Sequence, residues 1–148
     1  FSLSDPGLVN MFKNEFEEFI TNNVDILIGN ESEFNELSKN NDEVLKKITD
    51  SVDIAAITLG KNGAKIIHNN ETINIEANKV DKILDSTGAG DMFAAGFLFK
   101  ILNDYSIKES AEFGCLAASR IVTQYGARPT DDFLNLIKQS SWLFQIQK

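Results

Sequence analysis

The sequence predicts an α/β domain with a largely parallel sheet covered by helices on both faces. Three observations predict it. Short apolar runs of strand length, residues 24–28 and 54–59, end at Gly29 and Gly60. Between them lie stretches in which apolar side chains recur at helical spacing, and strands that alternate with helices favour parallel pairing. The chain has 148 residues, 43% of them hydrophobic and 24% charged, enough for one domain with a core of its own.

The elements follow in order. Phe1-Ser2-Leu3 reads as the end of a strand. Asp5 caps a helix with Pro6 at its first position, and Val9, Phe12, Phe16, Phe19 and Ile20 form its apolar stripe. After the strand at 24–28, Asn30 caps a helix carrying Phe34 and Leu37. Asp42 caps the next, with Val44, Leu45 and Ile48. The strand at 54–59 is followed by a hairpin, 65–68 and 72–75, around Asn69-Asn70-Glu71. Residues 80–84 form a strand leading to a small-residue turn. Phe93, Phe97, Leu98, Ile101 and Leu102 mark a helix, and Ala111, Leu116, Ala118, Ile121 and Val122 another. Gly126-Ala127-Arg128-Pro129 breaks it, and Thr130 caps a last helix with Phe133, Leu134 and Ile137. Ligands of such sheets gather at the carboxyl ends of strands. Asn30, Gly60 and Gly88 each follow a predicted strand, so three loops are expected at one sheet edge.

Composition narrows the function. No apolar run approaches the roughly 20 residues of a membrane span. The net charge of −8 argues against a nucleic-acid surface. A single cysteine, Cys115, permits no internal disulfide and suits the cytosol, and no signal peptide is visible. His68, the one histidine, reads as a solvated hairpin residue, Cys115 as a buried hydrophobe and Trp142 as packing of the last helix.

The most informative stretch is Asp85-Ser86-Thr87-Gly88-Ala89-Gly90-Asp91, followed by Met92-Phe93-Ala94-Ala95-Gly96-Phe97. Small side chains let a bulky anion reach the backbone, and a helix start points free N–H groups outward. Donors from Gly88, Ala89 and Gly90 would hold charge that spreads over phosphoryl oxygens in transfer. Asp91, in the first turn, would accept a hydroxyl proton. An ordinary strand-to-helix turn with Asp favoured by the helix dipole explains the same residues. Likewise Asn30-Glu31-Ser32-Glu33 reads as a capping box, and Thr58-Leu59-Gly60-Lys61-Asn62-Gly63 as a strand-ending turn.

Taken with its neighbours, the central stretch closely resembles the second signature of the ribokinase-like carbohydrate kinases (the PfkB family), with Ser86 in place of the usual Thr. The resemblance implies a ribokinase-like three-layer α/β/α sandwich. It implies Asp91 as catalytic base and the backbone of Gly88, Ala89 and Gly90 as anion hole. Asn30 and Glu33 match the Asn-x-x-Glu motif that organises Mg²⁺ and phosphate, Glu33 through water. Thr58, Gly60 and Gly63 match the loop along the nucleotide, and Gly126 the loop beneath the adenine. Asp85 and Thr87 would help form a monovalent-cation site, for K⁺. The cofactors implied are ATP and Mg²⁺, and the acceptor is a sugar or nucleoside. Residues 1–6 with 24–31 look most like the adenosine-kinase-like bacterial branch.

The resemblance covers residues 1–148, but only the carboxyl-terminal, ATP-binding and catalytic portion of the family's fold. The substrate lid and the sugar-binding Asp of the first half are not identifiable. The chain is therefore expected to be a fragment with weak or absent turnover alone, cytoplasmic, without nucleic-acid or membrane partners, and with self-association left open. A non-catalytic nucleotide-binding or interaction module derived from such a kinase is the alternative.

Overall fold

Two apolar runs set up the sheet. β1 (Ile26–Asn30) and β2 (Ile54–Thr58) pair in parallel, from Ile26 opposite Ile54 to Asn30 opposite Thr58. The computed structural model describes residues 1–130 and divides the chain into two units, Phe1–Ala77 and Asn78–Lys148.

In the first unit, β3 (Ala64–His68) and β4 (Glu71–Ile75) extend the sheet with two antiparallel ladders, giving the order β1-β2-β3-β4. The hairpin turns on Asn69 and Asn70, with φ of 51° and 62°. Two successive left-handed residues suit the twist of a two-residue hairpin, and asparagine tolerates them. The sheet of described strands is therefore mixed. Its parallel character is carried by β1, β2 and a bridge from Ser2 to Ile28, where Leu3 N–H donates to Ile28 O at 3.0 Å. Phe1-Ser2-Leu3 is thus strand-like, as expected.

Helices α1 (Pro6–Met11), α2 (Lys13–Asn23), α3 (Glu31–Ser38) and α4 (Asp42–Asp50) supply Val9, Ile20, Phe34, Leu37 and Ile48 to one core with Leu27, Ala55 and Ile57 of the sheet. Each fully buried Val, Leu, Ile or Phe side chain contributes about 1.5–3 kcal/mol. Ile28, Ala56 and Ile66 point to the opposite face and are buried too. A strand apolar on both sides reads as a continuous run, which is why β2 was legible.

Two boundaries differ from expectation. The first helix is divided at Phe12, whose φ of −117° and ψ of 36° leave the helical region. No proline or glycine marks the break, and nothing in the structure explains it. The cap of α4 is Asn41 rather than Asp42: Asn41 Oδ1 accepts from the amides of Glu43 and Val44 at 2.9 and 3.2 Å. Asp42 is the first helical residue, where its charge meets the positive end of the dipole.

The second unit holds α5 (Ala89–Ile101) and α6 (Ile107–Ile121). They approach closely because Gly96 lies against Gly114 and Ala117, and Gly114 against the Phe93 ring. Ser106 and Glu109 form a capping box at the start of α6. Lys100 is buried, with its ammonium 3.4 Å from the centre of the Tyr105 ring. Residues 80–84 form no strand, contrary to expectation. Lys79, Asp81 and Lys82 interrupt the apolar run, Ile83 is 58% exposed, and Leu84 N–H donates to Val122 O instead of to a ladder. Gly88 therefore follows a loop. The helix expected after Thr130, with Trp142, lies outside the described residues.

Candidate functional site

The turn into α5 is made of small residues because its backbone demands them. Gly88 caps the helix with φ of 80°. A Cβ there would lie 2.8 Å from Ala127 Cβ and 2.9 Å from Ala127 Cα, so conformation and contact both require glycine. Gly90 differs: a Cβ at this position would meet nothing within 4 Å, so it faces open space.

The amides of this turn divide into engaged and free. Ala89 N–H donates to Ser86 O at 3.2 Å, and Met92 N–H to Gly88 O at 2.9 Å. The N–H groups of Gly88, Gly90 and Asp91 have no acceptor among the described residues. They are the orphan donors of a helix start, at the positive end of its dipole. The Asp91 side chain is exposed and has no hydrogen-bond or ion-pair partner among the described residues. One helical turn thus presents three unsatisfied donors and an uncommitted carboxylate, a pairing suited to binding an anion and taking up a proton.

Asp85 organises what precedes this turn. Its Oδ1 accepts from Thr87 N–H at 2.9 Å and its Oδ2 from Gly126 N–H at 3.0 Å. Hydrogen bonds from the Thr87 side chain, then from the amides of Thr87 and Gly126, hold its carboxyl below the ordinary range. Gly126 adopts φ of 83° in an open loop.

In the first unit, Asn30 ends β1 and caps α3. Its Oδ1 accepts from Glu33 N–H at 2.9 Å. Its own N–H and Nδ2 donate to the two oxygens of Glu33, both at 2.8 Å. The capping box is therefore complete. Glu33 is 5% exposed, and burial pushes its carboxyl above the ordinary range, against the opposing effect of the Asn30 amide. It fits because residue 29 is glycine: a Cβ there would lie 2.9 Å from Glu33 Oε2 and 2.8 Å from Leu3 Cδ1.

Thr58 stands opposite Asn30 at the carboxyl ends of the parallel pair, with Oγ1 3.5 Å from Gly29 O. Just after it, Gly60–Asn62 forms one 3-10 turn, closed by Leu59 N–H donating to Gly63 O at 2.8 Å. Gly63, at φ 93°, would place a Cβ 1.9 Å from Ile75 O, whereas Gly60 at φ 57° faces open space. Asn30, Thr58, Gly60 and Gly63 thus share one end of the first unit's sheet. Asp85, Thr87, Gly88, Ala89, Gly90, Asp91 and Gly126 share one region of the second. No group of three or more His, Cys, Asp or Glu side chains among the described residues is placed to hold a metal ion.

The family model of the pfkB family carbohydrate kinases matches residues 2–132. The chain belongs to that family. Among solved structures, this pfkB chain is similar to an adenosine kinase from Sinorhizobium meliloti, with TM-score 0.88 and 31% identity over 95% of this chain and 44% of that one. A probable sugar kinase from Rhizobium etli matches with TM-score 0.86 and 34% identity, over 93% and 43%. The ribokinase-like α/β fold is therefore established. A ribokinase from Lactococcus lactis subsp. lactis is 36% identical over 71% of this chain and 34% of its own length. A nucleoside kinase from Methanocaldococcus jannaschii is 29% identical over 84% and 41%. The chain spans less than half the length of each of these relatives.

Sequence reasoning named the turn but missed its division of labour. The amide of Asp91 is a free donor, whereas that of Ala89 is engaged by Ser86. The signal was present: an N–H in the first turn of a helix lacks an acceptor unless the preceding residues fold back onto it. The fit of Gly29 to Glu33 carried no such signal.

Proposed function

We propose that this chain carries the nucleotide-binding and catalytic portion of an ATP-dependent phosphotransferase acting on a hydroxymethyl group of a sugar or nucleoside. What most supports this is one observation: the uncommitted carboxylate of Asp91 stands in the same helical turn as the free amides of Gly88, Gly90 and Asp91. Family membership and the named sugar and nucleoside kinases among its relatives point the same way.

In this reading Asp91 takes the proton of the acceptor hydroxyl. The acceptor oxygen then bonds the γ-phosphorus of ATP as the bond to ADP breaks. The free amides, aided by the helix dipole, hold the negative charge that spreads over the transferred oxygens. Within the first unit Thr58, Gly60 and Gly63, and within the second unit Gly126, take the nucleotide-binding roles that the family resemblance gives them. Mg²⁺, when bound, would offset the charge of the nucleotide phosphates. Glu33 is 5% exposed and both its oxygens are turned to Asn30, so its part toward that ion would run through water. The Asp85 carboxylate accepts two amides and the Thr87 side chain and keeps one acceptor site, which would suit a monovalent cation such as K⁺.

The test uses protein of the family's full length. Sugars and nucleosides are screened for acceptor-dependent ADP release, beside calorimetry of Mg-ATP on the present chain. D91N in the full-length protein is expected to lower kcat by about 10²–10⁴-fold with ATP affinity retained. Near-normal turnover in D91N would remove Asp91 as base. A folded chain that binds no Mg-ATP would remove the nucleotide site.

A further inference from the structure

Resting on that reading and going beyond it, we propose that Asp85 is a positioning residue: it ties the loop at 125–128 to the turn at the mouth of α5 and so holds the free amides of Gly88, Gly90 and Asp91 in place. The loop at 125–128 and the residues just before α5 lie outside regular secondary structure, so neither is held by a ladder or a helix. Asp85 is anchored first through its own backbone, since the amides of Leu84 and Asp85 both donate to Val122 O, at 2.8 and 3.4 Å. Its side chain then reaches in two directions. Oδ1 takes the amide of Thr87, the residue before Gly88, and Oδ2 that of Gly126. The two segments also touch directly, because Gly88 has room for no side chain against Ala127. The far side of the loop is closed separately by Gln124 Nε2, which donates to Arg128 O at 2.7 Å.

A carboxylate suits this task where an amide does not. Two acceptor oxygens meet two backbone donors, and bonds to an ionised acceptor are roughly twice as strong as neutral ones. Asparagine offers one acceptor, and its NH₂ would face the other amide donor.

The experiment records amide resonances and amide exchange in the isotope-labelled chain, with and without Mg-ATP, for wild type, D85N and S106A. In D85N, exchange at Thr87 or Gly126 is expected to quicken at least about tenfold, and the resonances of Gly88, Gly90 and Asp91 to shift. Mg-ATP affinity should fall about tenfold, as expected for losing one charge-assisted bond. S106A, which removes the α6 cap, should lower the Tm and do neither. If D85N does not fold, D85E serves: it moves the same two acceptors outward by a methylene and must shift the same three resonances.

Unmoved resonances at Gly88, Gly90 and Asp91 overturn the coupling. So does an unchanged Mg-ATP affinity in D85N beside a wild type that binds. A folded wild type that binds no Mg-ATP overturns the proposed function, whereas the tether stands or falls on the D85N resonances recorded without nucleotide. The nucleotide-free resonances separate the two failures.

Discussion

Asp85 and Gly126 are joined by a hydrogen bond of 3.0 Å across 41 positions of sequence. The same carboxylate holds Thr87, one residue before Gly88 begins the turn into α5. A loop that follows α6 is thereby registered against the loop that precedes α5. The shape of the helix mouth depends on that registration, because Gly88 has no room to move toward Ala127.

Gly88 and Gly90 should respond differently to the same substitution. G88A forces a side chain into a left-handed backbone and against Ala127, so both Tm and Mg-ATP affinity should fall. G90A adds a methyl in open space within a helix, where alanine is favoured by about 1 kcal/mol. Its stability should hold or rise, while Mg-ATP affinity falls because the methyl occupies the anion's approach. Thermal melts and calorimetry read both. Wild-type affinity in G90A would mean that no anion approaches there.

Gly63 should be the glycine of the first unit least able to change. G63A would bring Cβ 1.9 Å from Ile75 O. Relief requires the β3–β4 ladder to shift, so a loss of about 2–4 kcal/mol is expected by urea unfolding. G60A carries only the cost of its left-handed backbone, about 1–2 kcal/mol. Equal losses in the two variants would refute the close contact.

The two capping-box glutamates should respond to pH in opposite senses. Hydrogen bonds from Ser106 lower the Glu109 carboxyl from its ordinary 4.5, so its stabilisation is complete above that value and is lost as pH falls through the lowered one. Burial raises the Glu33 carboxyl from 4.5, so its contribution is complete below that value and is lost as pH rises through the raised one. The stability difference between wild type and E109Q should grow with pH across the acid range. That between wild type and E33Q should shrink as pH rises past 4.5. Unfolding curves from pH 3 to about 7 read the two slopes, and slopes of one sign would contradict this account.

Cys115 should be inert in the folded chain. It is 7% exposed, and burial, with Glu112 nearby, pushes its thiol up to about 11. The thiolate is the reactive form, so alkylation by iodoacetamide at mildly alkaline pH should be slow until denaturant is added. Rapid labelling of the native chain would refute the burial.

Local physics was legible in the sequence and non-local physics was not. The Asn30–Glu33 box, the Asn69–Asn70 hairpin and the two-sided apolar strand β2 each depend on residues within a few positions of one another, so composition and spacing were enough. The fold class and the location of the turn at 85–91 came from the same short-range signals, strengthened by a motif long enough to be specific. Tertiary structure alone decided the absence of a strand at 80–84. It also decided which amides of the turn stay free. Each of these depends on which of several locally acceptable backbones is chosen by a partner distant in sequence. Val122 O takes the amide of Leu84, Ala127 closes the space beside Gly88, and Gly126 completes the bonding of Asp85. A linear pattern records what each segment can do, and only packing selects among those options.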